Sequence, residues 1–309
     1  MLSPEQISEF KANGCLIIPD VLTDVEVDEA RHNFHMQLKS IGIDHHRILA
    51  KEVDYCEGPR IKSSVARIYY SKWKLIDVML HPKVCSTFDA IMQATYRTNE
   101  IPHFMHPYGR SENNLLFIDR VCWRLPDSVR AEGGLGLHLD QNPFDPYSNT
   151  VVFRPIQGFI SLTDQYSSTS GGIRVVKKFH KEIEDYFQKG IDEKSTGGAF
   201  HRMNSKVHAK LVKRCEPMFA PKGSLVIWDY RLPHQTSDFL SGNDTREVVY
   251  CSFLPDVPLN KIYIAEQLRA VRNNIPPPIY RDANSSIHSD RDWDEQQLPE
   301  WQKRYLGII

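Results

Sequence analysis

The sequence has six cysteines, at positions 15, 56, 85, 122, 215 and 251, and no C-x-x-C pair among them. A zinc ribbon is therefore not expected. Cysteines scattered this widely fit a reducing compartment better than a disulfide framework. No apolar run approaches the ~18 residues of a membrane span. Residues 1–10 carry neither a basic n-region nor an apolar h-region, so no secretory signal is expected. The closing Leu306-Gly307-Ile308-Ile309 is not a peroxisomal S-K-L address, which leaves the cytoplasm as the expected location. Charge of one sign is also missing. Lys+Arg total 38 against 39 Asp+Glu, a net charge of -1. There is no global basic field to draw in nucleic acid or an anionic membrane, and neither is expected as a partner. No repeat recurs at a 20–50-residue period, which excludes solenoids and propellers.

What is present is ordinary for a folded chain: 41% hydrophobic and 25% charged residues, which argues against wholesale disorder, a collagen-like chain or a coiled coil. A length of 309 residues allows two domains or one elaborated barrel domain. The texture favours a single domain over 1–309: a mostly helical part over 1–114, a β core over 115–255, and a C-terminal wrap or tail over 256–309.

Ser3-Pro4-Glu5-Gln6 reads as a capping box with proline at the first helical position, opening a helix that stops at Asn13-Gly14. Cys15-Leu16-Ile17-Ile18 reads as a short buried strand. Thr23 and Glu26 form a second capping box, ahead of a helix presenting Val27, Ala30, Phe34 and Leu38 on one face. Residues 42–60 read as a loop, and 67–81 are ambiguous between strand and helix. Pro82 to Tyr96 reads as helix, with Val84, Phe88 and Ile91 inward. Beyond 115, short apolar runs at 115–118, 121–125, 151–162, 173–176, 224–230 and 247–254 are separated by turn residues, the pattern of an antiparallel sandwich or barrel.

The chemistry concentrates around His138-Leu139-Asp140. Residues two apart on a strand share a face, so an imidazole and a carboxylate can approach one ion together. A third ligand is available in His234, after the strong strand run Gly223 to Asp229. Two histidines and one carboxylate with the other positions open is the facial triad of non-haem Fe(II) oxygenases. Twelve residues past His234, Arg246 opens the next strand, and a hairpin would bring it beside the ion. A guanidinium there can clasp a carboxylate through two parallel hydrogen bonds. 2-Oxoglutarate asks for that arrangement: its keto-acid end chelates iron and its far carboxylate needs a cation.

These motifs resemble the phytanoyl-coenzyme A dioxygenase-like (PhyH) branch of the Fe(II)/2-oxoglutarate oxygenases. The resemblance is carried by Phe10 to Ile18, His138-Leu139-Asp140, Gly158 to Asp164, Ser170 to Val176, and Gly223 through His234-Gln235-Thr236 to Arg246. It implies a double-stranded β-helix (jelly roll, cupin-like) of about eight core strands, with the N-terminal helices packed on one sheet. It implies His138, Asp140 and His234 as ligands of Fe(II). Arg246 and the Thr236 hydroxyl would bind 2-oxoglutarate, with Arg124 as a further cation facing the cavity and O2 as the second co-substrate. The activity implied is hydroxylation of an unactivated C–H in a small molecule, with release of succinate and CO2. The chain departs from the family where an aromatic residue gives way to Ile160, and where the usual turn reads Lys177-Lys178-Phe179-His180. Both departures argue against a branched acyl-CoA substrate.

Gln141, Asn142 and Trp123 are the expected substrate rim, with the 42–60 loop as a lid. His103, His106, His45 and His46 read as surface loop residues, and His180 as a structural hydrogen bonder. A halogenase would need the carboxylate position vacated, and Asp140 fills it. Desaturation or cyclisation on the same scaffold, and a non-catalytic β-barrel binding module, are the competing functions. A monomer or homodimer is expected.

Overall fold

Two reciprocally capped helices open the chain. In α1 (Pro4–Asn13) the Ser3 hydroxyl accepts from the Gln6 amide N–H while the Gln6 side chain accepts from the Ser3 N–H. In α2 (Asp24–Ser40) Thr23 and Glu26 repeat the exchange, and Val27, Ala30, Phe34 and Leu38 are the buried face. The computed structural model describes residues 2–56, 61–62, 64–96, 113–141, 152–189, 201–281 and 291–309.

Among those residues the remaining helices are α3 (His45–Leu49), α4 (Pro82–Ala94), α5 (Ile183–Gln188), α6 (Ala209–Arg214), α7 (Pro258–Asn273) and α8 (Glu300–Leu306). The strands are β1 (Cys15–Ile18), β2 (Ile61–Lys62), β3 (Val65–Ala66), β4 (Asn114–Phe117), β5 (Val121–Arg124), β6 (His138–Leu139), β7 (Ile156–Ser161), β8 (Ile173–Val175), β9 (His201–Arg202), β10 (Glu216–Pro217), β11 (Leu225–Asp229), β12 (His234–Thr236) and β13 (Arg246–Pro255). They form two antiparallel sheets. The large one runs β1-β11-β7-β13-β5-β3-β2, with β4 also on β13; the small one runs β10-β8-β12-β6-β9. This is the expected double-stranded β-helix, with flanking helices and without closure into a barrel.

β13 is the spine of the large sheet. One edge pairs first with β5 (Arg246↔Arg124) and then with β4 (Ser252↔Phe117), while the other edge pairs with β7. Helices cover the outer face: Phe88 of α4 lies 4.8 Å from Phe253, and Tyr305 of α8 lies 5.4 Å from it. Burial on both faces explains why β7 and β13 read as nearly continuous apolar runs rather than as alternation.

One expectation needs correction, and two stretches resolve more closely. Residues 45–49 form a helix with His45 and Ile48 buried, so this part of the 42–60 stretch is packed and not an open lid; 57–60 lie outside the described residues. The ambiguous 67–81 stretch contains a π-helix, Trp73–Met79, buried almost all round. Its period defeats both the 2.0 and the 3.6 templates, and its Lys74 ammonium is accommodated by the carbonyls of Tyr69 and Asp119. Finally, α7 is an integral wall. Tyr263 stacks on Phe117 at 5.6 Å, and the Gln267 amide donates to the Leu116 carbonyl and accepts from the Ile118 N–H.

Candidate functional site

His138 and His234 sit opposite each other in the β6–β12 ladder of the small sheet, so both side chains leave the same face. Asp140 follows just past β6. The His138 Nε2 lies 3.5 Å from Asp140 Oδ1, and the His234 Nε2 lies 3.9 Å from Oδ2. The three ligand-type atoms fall within 4.8 Å of one another. Each ring also has its tautomer dictated. His138 Nδ1 donates to the Gly136 carbonyl at 2.7 Å and His234 Nδ1 to the Leu232 carbonyl at 3.0 Å. A carbonyl can only accept, so both Nδ1 atoms carry the proton and both Nε2 lone pairs face the carboxylate.

Burial works against ionisation of Asp140, but His234, His138 and Arg154 outweigh it and bring the carboxyl down to about 2. Burial, reinforced by His138, pushes His234 down to about 4 against the pull of Asp140. A carboxylate and two imidazoles, each with Nε2 turned inward, suit a borderline divalent ion. Arg154 orients the carboxylate, with Nη2 3.4 Å from Asp140 Oδ2 and Nη1 3.2 Å from Asp119 Oδ2.

The triad opens into a cavity of about 440 Å³ lined from both sheets, and Arg246 and Thr236 line it too. Arg246 does not reach this cavity through a hairpin. β12 belongs to the small sheet and β13 to the large one, and the 237–245 connection crosses between them. The Arg246 side chain is 3% exposed. Its Nε donates to Gln165 Oε1 at 3.2 Å, its Nη1 lies 3.1 Å from Cys122 Sγ, and its cation stands 5.4 Å from the Phe159 ring centre. Among the described residues no carboxylate pairs with it. Gly171, at φ +67°, allows this packing, since a Cβ there would lie 3.3 Å from Arg246 Cδ in a backbone conformation that L side chains rarely adopt. Thr236 Oγ1 accepts from the Leu135 N–H at 2.6 Å, leaving its own proton to donate. Gly134 makes that approach possible: a Cβ there would stand 2.4 Å from the Thr236 carbonyl oxygen.

The other expected residues fall elsewhere. Arg124 does not line the triad cavity. Its guanidinium is committed to the carbonyls of Ser237, Glu132 and Asp238 at 2.6, 2.7 and 2.9 Å, where it ties down the crossing connection. Trp123 is one residue out of phase with Cys122 and Arg124 on β5. Strand alternation turns it to the helix side, where its Nε1 donates to His45 Nδ1 at 3.1 Å and Tyr55 meets its ring edge-on. Gln141 donates to the Val152 carbonyl at 3.2 Å and does not line the cavity. Asn142, His103 and His106 lie outside the described residues. The aromatic wall expected to be missing at Ile160 is supplied by Phe159, whose ring lies beneath Arg246. Lys177 pairs with Glu216 at 3.0 Å, and His180 hydrogen-bonds the Lys11 carbonyl through Nε2 at 3.1 Å, so neither serves the cavity mouth.

A second histidine–carboxylate group, His35, His45 and Glu247, lies on the helix side of β13. His45 is buried and stacks on His35 at 3.6 Å, contrary to its expected place at the surface. Glu247 already accepts from Arg31 Nε at 2.9 Å, Thr245 Oγ1 at 2.6 Å and His35 Nε2 at 2.8 Å, and His45 Nδ1 accepts from Trp123. With His35 Nε2, His45 Nδ1 and both Glu247 oxygens engaged in hydrogen bonds, this knot ties α2 to the sheet.

Sequence reasoning missed Asp119, Arg154, Gln157 and Tyr280, all in the cavity wall. Arg154 and Gln157 carry a visible signal, polar residues inside the apolar run 151–162. The others depend on tertiary contacts: the Tyr280 hydroxyl donates to Asp119 Oδ1 at 2.6 Å across 161 positions of sequence.

The family model described as Gig2-like matches residues 140–307, more than half of the chain. A Dictyostelium discoideum protein named "Putative phytanoyl-CoA dioxygenase" is 23% identical over 218 residues, 70% of this chain and 58% of that protein. This chain thus spans well under two thirds of that relative's length. Among solved structures, GlcNAc Inducible Gene 2, GIG2 (DUF1479), from Candida albicans superposes with a TM-score of 0.75 at 19% identity, covering 99% of this chain and 76% of its own. The epimerase SnoN, in a complex with Fe3+, alpha ketoglutarate and nogalamycin RO, superposes with a TM-score of 0.50 at 12% identity over 81% of this chain and 82% of its own. At these identities the solved structures establish a shared fold.

Proposed function

From the premise that the chain belongs to the Gig2-like family, we propose that it is an Fe(II)- and 2-oxoglutarate-dependent oxygenase acting on a small molecule. The observation that carries this reading is the pairing of two features in one cavity: two imidazoles whose Nε2 atoms converge with Asp140, and a buried arginine that no carboxylate among the described residues neutralises. A buried cation without an anionic partner is costly, and a ligand carboxylate would complete it.

His138, Asp140 and His234 would hold Fe(II). Arg246 would hold the far carboxylate of 2-oxoglutarate, with the Thr236 hydroxyl donating a further hydrogen bond and Phe159 flooring the site. Iron with 2-oxoglutarate bound supplies the chemistry that consumes O2, releases succinate and CO2 and hydroxylates an unactivated C–H bond. The chain's own part is aim and exclusion. The carbonyls of Gly136 and Leu232 keep both imidazoles in the ligating tautomer, and Arg154 holds the carboxylate on the cavity side. The apolar wall of Phe159, Ile173 and Trp228 keeps water from the reacting carbon.

Anaerobic Fe(II) titration of the wild type and Asp140→Ala tests the reading. The wild type should bind one equivalent and, in air, turn over 2-oxoglutarate to succinate. Asp140→Ala should lose most of the iron and all product-coupled turnover. Full iron content and full turnover in the variant would refute the assignment.

A further inference from the structure

Beside the triad cavity lies a second cavity of about 640 Å³, whose wall includes Arg67, Arg120, Arg124, Arg130 and Arg246 against one carboxylate among the described residues, Glu132. The two cavities share Arg120, Thr236, Arg246 and Tyr250, so they meet at those residues. Among the described residues of both walls, six arginines stand with three carboxylates, Asp119, Asp140 and Glu132, and Arg124 also pairs with Asp127 at 3.5 Å. The excess of arginine among these residues survives loading, because a divalent ion adds the two charges that 2-oxoglutarate removes.

Most of these cations have work inside the protein. Arg124 holds carbonyls, Arg130 Nε pairs with Glu132 at 3.1 Å, and Arg154 bridges Asp119 and Asp140. Arg120 stands apart at the junction. Its guanidinium rests 4.2 Å above the Tyr280 ring, and its buried Nε has no hydrogen-bond partner. Its nearest acid, Asp119 at 3.6 Å, is already engaged by Arg154 and by the Tyr280 hydroxyl. A guanidinium that lines both cavities, and whose one nearby acid is shared with Arg154 and the Tyr280 hydroxyl, is placed to take a polar ligand.

We propose that the molecule oxidised at the triad carries an oxyanion, a carboxylate or a phosphate, which docks on Arg120 in this arginine-lined chamber. The proposal rests on the oxygenase reading for what happens to that molecule, but not for the anion site. A planar guanidinium fork matches both oxyanions, and a low-dielectric chamber of one sign concentrates them.

The test uses the full chain loaded with Mn(II) and saturated with N-oxalylglycine, a non-reacting analogue of 2-oxoglutarate. Inorganic phosphate and benzoate are titrated separately by calorimetry. At least one should bind saturably with one-to-one stoichiometry. Arg120→Gln should weaken it at least tenfold, and Arg120→Lys, which keeps the charge, should recover part of the loss. A response to phosphate alone assigns a phosphate monoester, and to benzoate alone a carboxylate. If neither binds the wild type, or if Arg120→Gln binds as tightly, the proposal fails. Retained Mn(II) binding shows that the variant is folded. Failure of the wild type to bind Mn(II) or N-oxalylglycine refutes the oxygenase reading instead, and the same titrations on metal-free protein still decide the anion site.

Discussion

Replacing Arg246 by lysine retains a positive charge and removes a fork, which makes it a sharp test of how the co-substrate is held. The guanidinium is fixed on two sides, by Gln165 at Nε and Cys122 at Nη1, over the Phe159 ring. That leaves Nη2 and the second Nη1 proton to grip a carboxylate in a pocket with little room to reorient. Lysine presents a single point charge on a flexible stem and cannot make two parallel bonds. One charge-assisted hydrogen bond lost is worth about 1.5–3 kcal/mol, or roughly ten- to hundred-fold in affinity. Calorimetric titration of 2-oxoglutarate into the Mn(II)-loaded protein should show that loss in Arg246→Lys. Arg246→Met should abolish the binding. Yet without ligand Arg246→Met should be at least as stable as the wild type, by about 1 kcal/mol or more in denaturant unfolding, because an uncompensated buried charge gives way to apolar packing. Affinity in Arg246→Lys within twofold of the wild type would place the carboxylate elsewhere, and marked destabilisation of Arg246→Met would show that the contacts to Gln165, Cys122 and Phe159 outweigh the cost of burying the charge.

Glu247 should dominate acid sensitivity on the helix side of the sheet. Burial alone would raise its carboxyl, but His35 and Arg31 bring it down to about 2. A depressed carboxyl stabilises the fold above its unfolded value of ~4.3 and loses that stability as pH falls toward 2. Unfolding at pH 7 should therefore show Glu247→Gln less stable by about 3 kcal/mol, with the gap closing between about pH 4.5 and 2; a gap independent of pH would refute the linkage. Trp123→Ala should cost about 3–5 kcal/mol in stability and leave the 2-oxoglutarate affinity of the folded protein intact, since the indole packs on the helix side; lost affinity without lost stability would return it to the site. Gly134→Ala should destabilise the protein by about 1–3 kcal/mol through the clash with the Thr236 carbonyl, measured by thermal unfolding, and a neutral result would mean the 134–136 segment can shift freely.

Local chemistry made much of this chain readable. Capping side chains interact with backbone three residues away, so Ser3 with Gln6 and Thr23 with Glu26 announced α1 and α2. A period of two put His138 and Asp140 on one face, and the apolar runs marked the strands that carry Arg246 and precede His234. What tertiary structure decided is which faces meet. Arg246 and Glu247 are adjacent, yet alternation sends one into the cavity and the other to α2, and only the sheet order says which. Trp123 and Arg124 left the expected rim for the same reason, since their neighbours across β5 and from the crossing connection were not visible in the strand itself. The π-helix was unreadable because its period matches neither template and its burial comes from all sides. The arginine chamber is the extreme case. Arg67, Arg120, Arg130 and Arg246 are spread over nearly 180 positions of a chain with net charge -1, and only the pairing of β3, β5 and β13 as neighbours in the large sheet gathers their charge into one cavity.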